Sequence, residues 1–266
     1  MRGGQIRGGK GLAAACGHGV VRWAALVSIA ASCSAVNAAG TAVGDPPSAA
    51  VQRAWSGTWV TSVESTGQGI QDCCRGPGTQ VPFTPKYRAV RDAYANQALD
   101  NTQVAITNSQ QCLTPGVPGI LTHPISFEIL FSLGRATMLV EDGSVRRLWL
   151  SNDRPPPYTS HTALGYSIAR WEGQTLVVHT DHLSPAADLF MSSGIHMTDH
   201  SVVEERLHLA KSGDLLIDTT VTDPEMFTKP FRYTRNYKKV PGTFEVGCAA
   251  NNRDDDSKSP DLAPPF

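Results

Sequence analysis

With 266 residues and 41% hydrophobic content, the chain is long enough to bury a full core, and one domain of about 200 residues is ordinary for an all-β fold. Its 23 Lys and Arg against 24 Asp and Glu give a net charge of −1, so no basic surplus marks it for nucleic acid.

Residues 1–38 read as a signal peptide. Arg2, Arg7, Lys10 and Arg22 precede the uncharged run Trp23 to Ala31, and Val36-Asn37-Ala38 offers a small-residue cleavage site. The run is too short to span a bilayer as a helix, so no transmembrane segment is expected in the mature chain. Cys33 follows Ala30-Ala31-Ser32, which lacks the bulky aliphatic residue usual three places before a lipidated cysteine. Cleavage would leave 19 basic against 24 acidic residues, a net charge of −5. Cys73, Cys74, Cys112 and Cys248 would then meet a periplasmic or extracellular compartment in which disulfides persist. Adjacent cysteines pair with each other only under strain, so Cys73 and Cys74 are each expected to seek Cys112 or Cys248. One bridge with two free thiols is the alternative.

Residues 39–53, rich in Ala, Gly and Pro, are expected to be a flexible leader. A single β-barrel domain is expected over 54–247, and a disordered tail over 248–266, where Asp254-Asp255-Asp256 and several prolines stand. Gly57-Thr58-Trp59 opens the first strand and resembles the start of a lipocalin barrel, in which the Gly lets the chain turn in and the Trp plugs the closed end. Residues 67–82 read as loop. Thr84-Pro85 then starts a helix reaching about Ala98, with Tyr87, Val90, Ala93, Tyr94 and Ala98 on the face that meets the body. Residues 101–124 form a loop. The strands that follow are 125–131, 135–141 and 145–150, with a tight turn at Asp142-Gly143. A Pro-rich loop covers 151–160.

The stretch 165–180 is the strongest hairpin in the chain, two alternating runs about Glu172-Gly173-Gln174. After a loop over 181–194 come strands 198–209, 215–222 and 231–240. Nine strands joined mostly by short turns, with one early inserted helix, close most simply as a lipocalin-like, up-and-down antiparallel barrel. A two-sheet sandwich is the alternative.

The hairpin also resembles a family of secreted bacterial proteins carrying a pattern close to G-H-S-x-G-R-W-E-G-D-T-L-V-V-D-T. The match covers Gly165, Ser167, Arg170 to Gly173 and Thr175 to Val178, and departs at Tyr166, Ala169, Gln174 and His179. Cys112 with its neighbouring Pro and Gly, Thr198 and the Glu205-Arg206 pair resemble the same family, whereas His200 does not. The resemblance implies architecture and a secreted address; it implies no activity.

Seven histidines follow residue 38, five of them from His179 to His208. Four residues of extended chain span about 13 Å, too far for His196 and His200 to share one ion unless the segment turns. His179-x-x-His182 lacks a recognised ligand spacing, and no metal is assigned. There is no G-x-S-x-G elbow, phosphate loop or nucleotide fingerprint, so no cofactor is assigned either. Alternation places His200, Val202, Glu204, Arg206 and His208 on one side of their strand and Ser201, Val203, Glu205, Leu207 and Leu209 on the other; either side could face the lumen. In the hairpin, Trp171 belongs in a core and Arg170 beside an acid on the structural reading. On the functional one, Tyr166, His179, His196, His200, Glu128 and Glu204 are the candidate proton donors and acceptors in an apolar pocket.

Three functions compete. One is a cofactor-independent lyase, isomerase or cyclase acting on a small apolar or aromatic compound. A second is a non-catalytic periplasmic carrier of a small hydrophobic or aromatic molecule. The third is an envelope protein using loops 66–82 and 181–194 against another protein.

Overall fold

The computed structural model describes residues 47–61, 81–99, 108, 112–122, 126–150, 156, 159–190 and 194–242, all within one compact unit, Thr41–Phe266. The signal peptide, the C-terminal tail, His123, and Cys73, Cys74 and Cys248 lie outside the described residues. Cys112 is disulfide-bonded.

Nine strands close into a barrel: β1 Gly57–Thr61, β2 Ser126–Ser132, β3 Arg135–Val140, β4 Val145–Leu150, β5 Tyr166–Glu172, β6 Thr175–Asp181, β7 Val202–Leu209, β8 Leu215–Thr222 and β9 Phe231–Val240. Neighbours in sequence are neighbours in the wall, and β1 closes on β9 with Thr58 opposite Val240 and Thr61 opposite Tyr237. The expected barrel is therefore present, with one correction to its strand directions. Eight junctions are antiparallel, but β4 and β5 run parallel, Leu148 opposite Ser167 and Leu150 opposite Ala169. The reason is parity. Antiparallel pairing reverses direction at every step, and an odd ring cannot return to its starting direction unless one junction keeps it. The connection from β4 to β5 supplies that junction, since a parallel pair needs a crossover between its strands.

Strand alternation sorts the side chains. Phe127 and Ile129, Ala136 and Met138, Leu148 and Leu150, Leu176 and Val178, Val203 and Leu207, and Leu215 and Ile217 all point inward and are buried. The residues between them face out.

One end is closed by a helix where a flexible leader was expected. Residues 49–55 form α1, capped by Ser48, whose hydroxyl accepts from the Val51 N–H. The Ala-rich segment can helix because its last residue, Trp55, has somewhere to go: it packs edge-on against Trp171 (5.2 Å between centroids) and Phe131 (6.4 Å). Trp59 is fully buried and donates its indole N–H to the Trp55 carbonyl at 2.9 Å. Lys239 of β9 lies over the Trp59 ring and donates to the Ala54 carbonyl at the end of α1. Gly57 has φ +117°, a conformation side-chain-bearing residues rarely adopt.

The other end is covered by segments between strands. Phe83 stacks on Phe227 (5.6 Å), and the 3-10 turn Gly119–Leu121 is buried with Val117. Residues 183–197 add Leu183, Leu189, Phe190, Ile195 and Met197 to the apolar cover. Helix α2, Pro85–Leu99, begins where Thr84-Pro85 indicated, but its inward residues are Tyr87, Arg91 and Tyr94; Val90 and Ala93 are exposed. Tyr94 lies against Gly194, where an added Cβ would come within 2.4 Å of its ring.

Truncating Trp55 to Ala removes the centre of the aromatic plug. Urea denaturation is expected to show a loss of about 3–5 kcal/mol, the usual cost of deleting a buried indole.

Candidate functional site

Inside the barrel, the apolar lining is interrupted by a belt of polar side chains on consecutive strands. Arg146 (β4), Ser167 (β5), Thr180 (β6), Glu205 (β7) and Thr219 (β8) are all buried, and Tyr233, Arg235 and Tyr237 continue the belt on β9. Register brings them together. Ser167 is the cross-strand partner of Thr180, Glu205 of Thr219, and Thr219 of Tyr233.

The centre of the belt is the Arg146–Glu205 ion pair, 2% and 1% exposed. Arg146 grips both carboxylate oxygens: Nη1 donates to Oε1 at 3.0 Å and Nη2 to Oε2. Nη2 also donates to the Thr180 hydroxyl at 3.0 Å, which shares a 2.8 Å hydrogen bond with Ser167. Two-point pairing with hydroxyl support is the arrangement that lets opposite charges persist away from water. On β9, burial pushes the Tyr237 hydroxyl up to about 12, against the pull of the neighbouring Arg235 guanidinium. Its proton is donated to the Leu121 carbonyl at 2.7 Å, tying the belt to the cover. Burial also drives Tyr233 far above the usual tyrosine range, helped by the Glu205 charge and only partly opposed by Thr219, and its hydroxyl makes no hydrogen bond of normal geometry among the described residues. Tyr233 touches Phe190 and Phe231, so an aromatic chain from Phe83 and Phe227 leads down to the belt.

None of the six residues singled out from the sequence belongs to this belt. Tyr166, His179, Glu128 and Glu204 have outward parity. Tyr166 stacks on Trp149 across the parallel junction (6.4 Å), and Glu128 is half-buried on the outer wall. His179 and Glu204 are cross-strand partners on the outside, with Nδ1 3.8 Å from Oε1; Asp181 is 3.8 Å from Nε2. His200 is exposed, because β7 starts at Val202 and not at Thr198. Ser201 accepts from the Thr198 N–H, and the Thr198 hydroxyl accepts from the His200 N–H, turning the chain before the strand begins. His196 is half-exposed in the cover, its Nδ1 2.9 Å from buried Asp188. Among the described residues no histidine points into the lumen, and no group of three His, Cys, Asp or Glu is arranged to hold a metal ion. The structural expectations for the hairpin are met: Trp171 packs on the core, and Arg170 bonds Glu172 at 2.7 Å.

A second buried carboxylate, Asp223, organises the cover. Burial alone would raise its pKa, but hydrogen bonds from Ser201 and Thr198 and from the N–H groups of Met226 and Glu225 outweigh that and hold it below the usual range. Gly165, the first residue of the hairpin motif, has φ +62°, and an added Cβ would lie 2.5 Å from the Asp181 carbonyl, so only glycine fits.

Compared with known proteins, the chain matches no family model and no curated protein at a significant level.

Two outcomes are expected. Replacing Glu205 by Leu strands Arg146 in the interior and should cost about 3–5 kcal/mol in denaturant unfolding, whereas the double change R146L/E205L should recover much of it. For His196, the hydrogen bond to Asp188 raises the pKa above 6.5, in spite of burial. Its contribution to stability is therefore complete below that ordinary value and is lost as the pH rises through the higher folded value. Thermal melts across this window should show the decline, and Asp188→Asn should abolish it.

Proposed function

We propose that this protein binds a small molecule inside the barrel and acts as a carrier. The observation that carries this reading is the polar belt: six consecutive strands bring hydroxyls, two tyrosines and charged groups to the inner face of an otherwise apolar tube, closed by Trp55 at one end and by Phe83 and Phe227 at the other. A folded core gains nothing in stability from such groups that matched apolar residues would not supply. A ligand with an apolar body and a polar head would use them. Barrels of about eight strands are wide enough for one small ligand, and inward Ala136, Ser167, Ala169, Thr180 and Thr219 thin the packing of this wider one.

Binding is favoured over acid–base catalysis by the chemistry of the belt. Both tyrosines are held protonated well beyond neutral pH, and both oxygens of Glu205 are engaged by Arg146. The basic N-terminal stretch with its small-residue cleavage site, together with the resemblance of the hairpin to a secreted bacterial family, supports a periplasmic or secreted address.

The test is mass spectrometry of small molecules released on unfolding the protein purified from the periplasm. One compound, near stoichiometric, is the expected result; conversion of that compound by the folded protein would favour the enzyme reading.

A further inference from the structure

The charges inside the barrel do not cancel. Among the described buried side chains of the strands, Arg146 and Arg235 are positive and Glu205 is negative; Lys239, on the same face of β9, is exposed at the α1 end. Glu205 is engaged by Arg146 through both carboxylate oxygens. Arg235 is 3% exposed, and among the described residues no carboxylate lies within ion-pair distance of it. Its Nη2 makes a long 3.4 Å hydrogen bond to the Thr61 hydroxyl, its guanidinium adjoins the Tyr237 hydroxyl, and its Nε–H has no acceptor among the described residues. The Arg146 Nε–H is likewise without an acceptor among the described residues.

A guanidinium cannot shed its charge by losing a proton, as a buried lysine can. An enclosed arginine therefore needs a negative partner, or the site carries a large desolvation cost. The described wall supplies no such partner. Two residues along β9 on the same face, Tyr233 offers a buried hydroxyl beside Thr219, with no hydrogen bond of normal geometry among the described residues, held as a donor by its raised pKa. Aromatic rings of Phe190 and Phe231 lie against it.

We propose that the ligand is an organic anion, a compact carboxylic acid with an aromatic or aliphatic body whose carboxylate is received by Arg235 and Tyr233. This rests on the reading of the barrel as a small-molecule binder and names the ligand class of that site. The forked donors of Arg235 match a carboxylate in two-point fashion, the tyrosine hydroxyl supplies a third donor, and the apolar wall takes the body. Arg146 then plays a different part. With Glu205 it forms a neutral brace that keeps the only inward carboxylate of the described wall away from the ligand.

Isothermal titration calorimetry on the mature protein, unfolded and refolded to free it of bound compounds, tests this with benzoate against benzamide and octanoate against octanol. Each carboxylate should bind at least tenfold more tightly than its neutral counterpart. Arg235→Met should abolish the difference, and Arg235→Lys, which keeps the charge but loses the fork, should retain part of it. If benzamide and octanol bind as well as the acids, the anion assignment fails while binding in the barrel stands. If none of the four probes binds, both readings fail. Chloride and phosphate run as separate arms: saturation by either at lower concentration than the carboxylates would overturn the assignment to an organic acid.

Discussion

Closure is the constraint on which this structure depends. Nine strands in a ring must contain a junction that does not reverse direction, and the chain places it between β4 and β5, through residues 151–165. The described end of that connection, residues 159–165, runs against the cover: the Thr162 N–H donates to the His182 carbonyl, and the Val117 N–H to the Ala163 carbonyl. The segment that solves the topological problem thus also anchors the residues closing one end. The parallel junction further sets Arg146, two residues before Leu148 on β4, near Ser167 of β5, so the odd junction and the ion pair are neighbours in the wall.

Much of the barrel is legible in the sequence because alternation is a local property. Strands 145–150, 215–222 and 231–240 coincide with β4, β8 and β9, and the tight turns at Asp142-Gly143 and Glu172-Gly173 are where the residues place them. Alternation tells which side chains share a face; it does not tell which face looks inward. For β7 the apolar side, Val203, Leu207 and Leu209, points in and takes Glu205 with it. A lone carboxylate on an apolar face is the sequence signal for the site. For β4 even that signal is weak, since Arg146 and Arg147 give each face one arginine. Direction of pairing is also non-local: nothing in residues 151–165 alone says whether the next strand returns or repeats.

Histidine is a natural candidate for chemistry because imidazole titrates near neutrality, and titration is a property of residue type. Location is a property of the fold. His179 lies in a strand whose inward positions are Leu176, Val178 and Thr180, and the two-residue period leaves it outside. The groups that do converge are arginine, glutamate, tyrosine and hydroxyls, residue types ordinary enough in a β-protein that only the register, Glu205 opposite Thr219 opposite Tyr233, gathers them.

The seam between β1 and β9 has a consequence for biogenesis. The first strand of the wall bonds the last, and Lys239 reaches back to the end of α1. A polypeptide emerging from a ribosome or a translocation pore, amino end first, cannot complete the ring until residue 240 is free. Local hairpins form early, yet the interior stays open to water until the last strand of the wall is delivered, so closure of the barrel is driven by contacts between distant parts of the sequence.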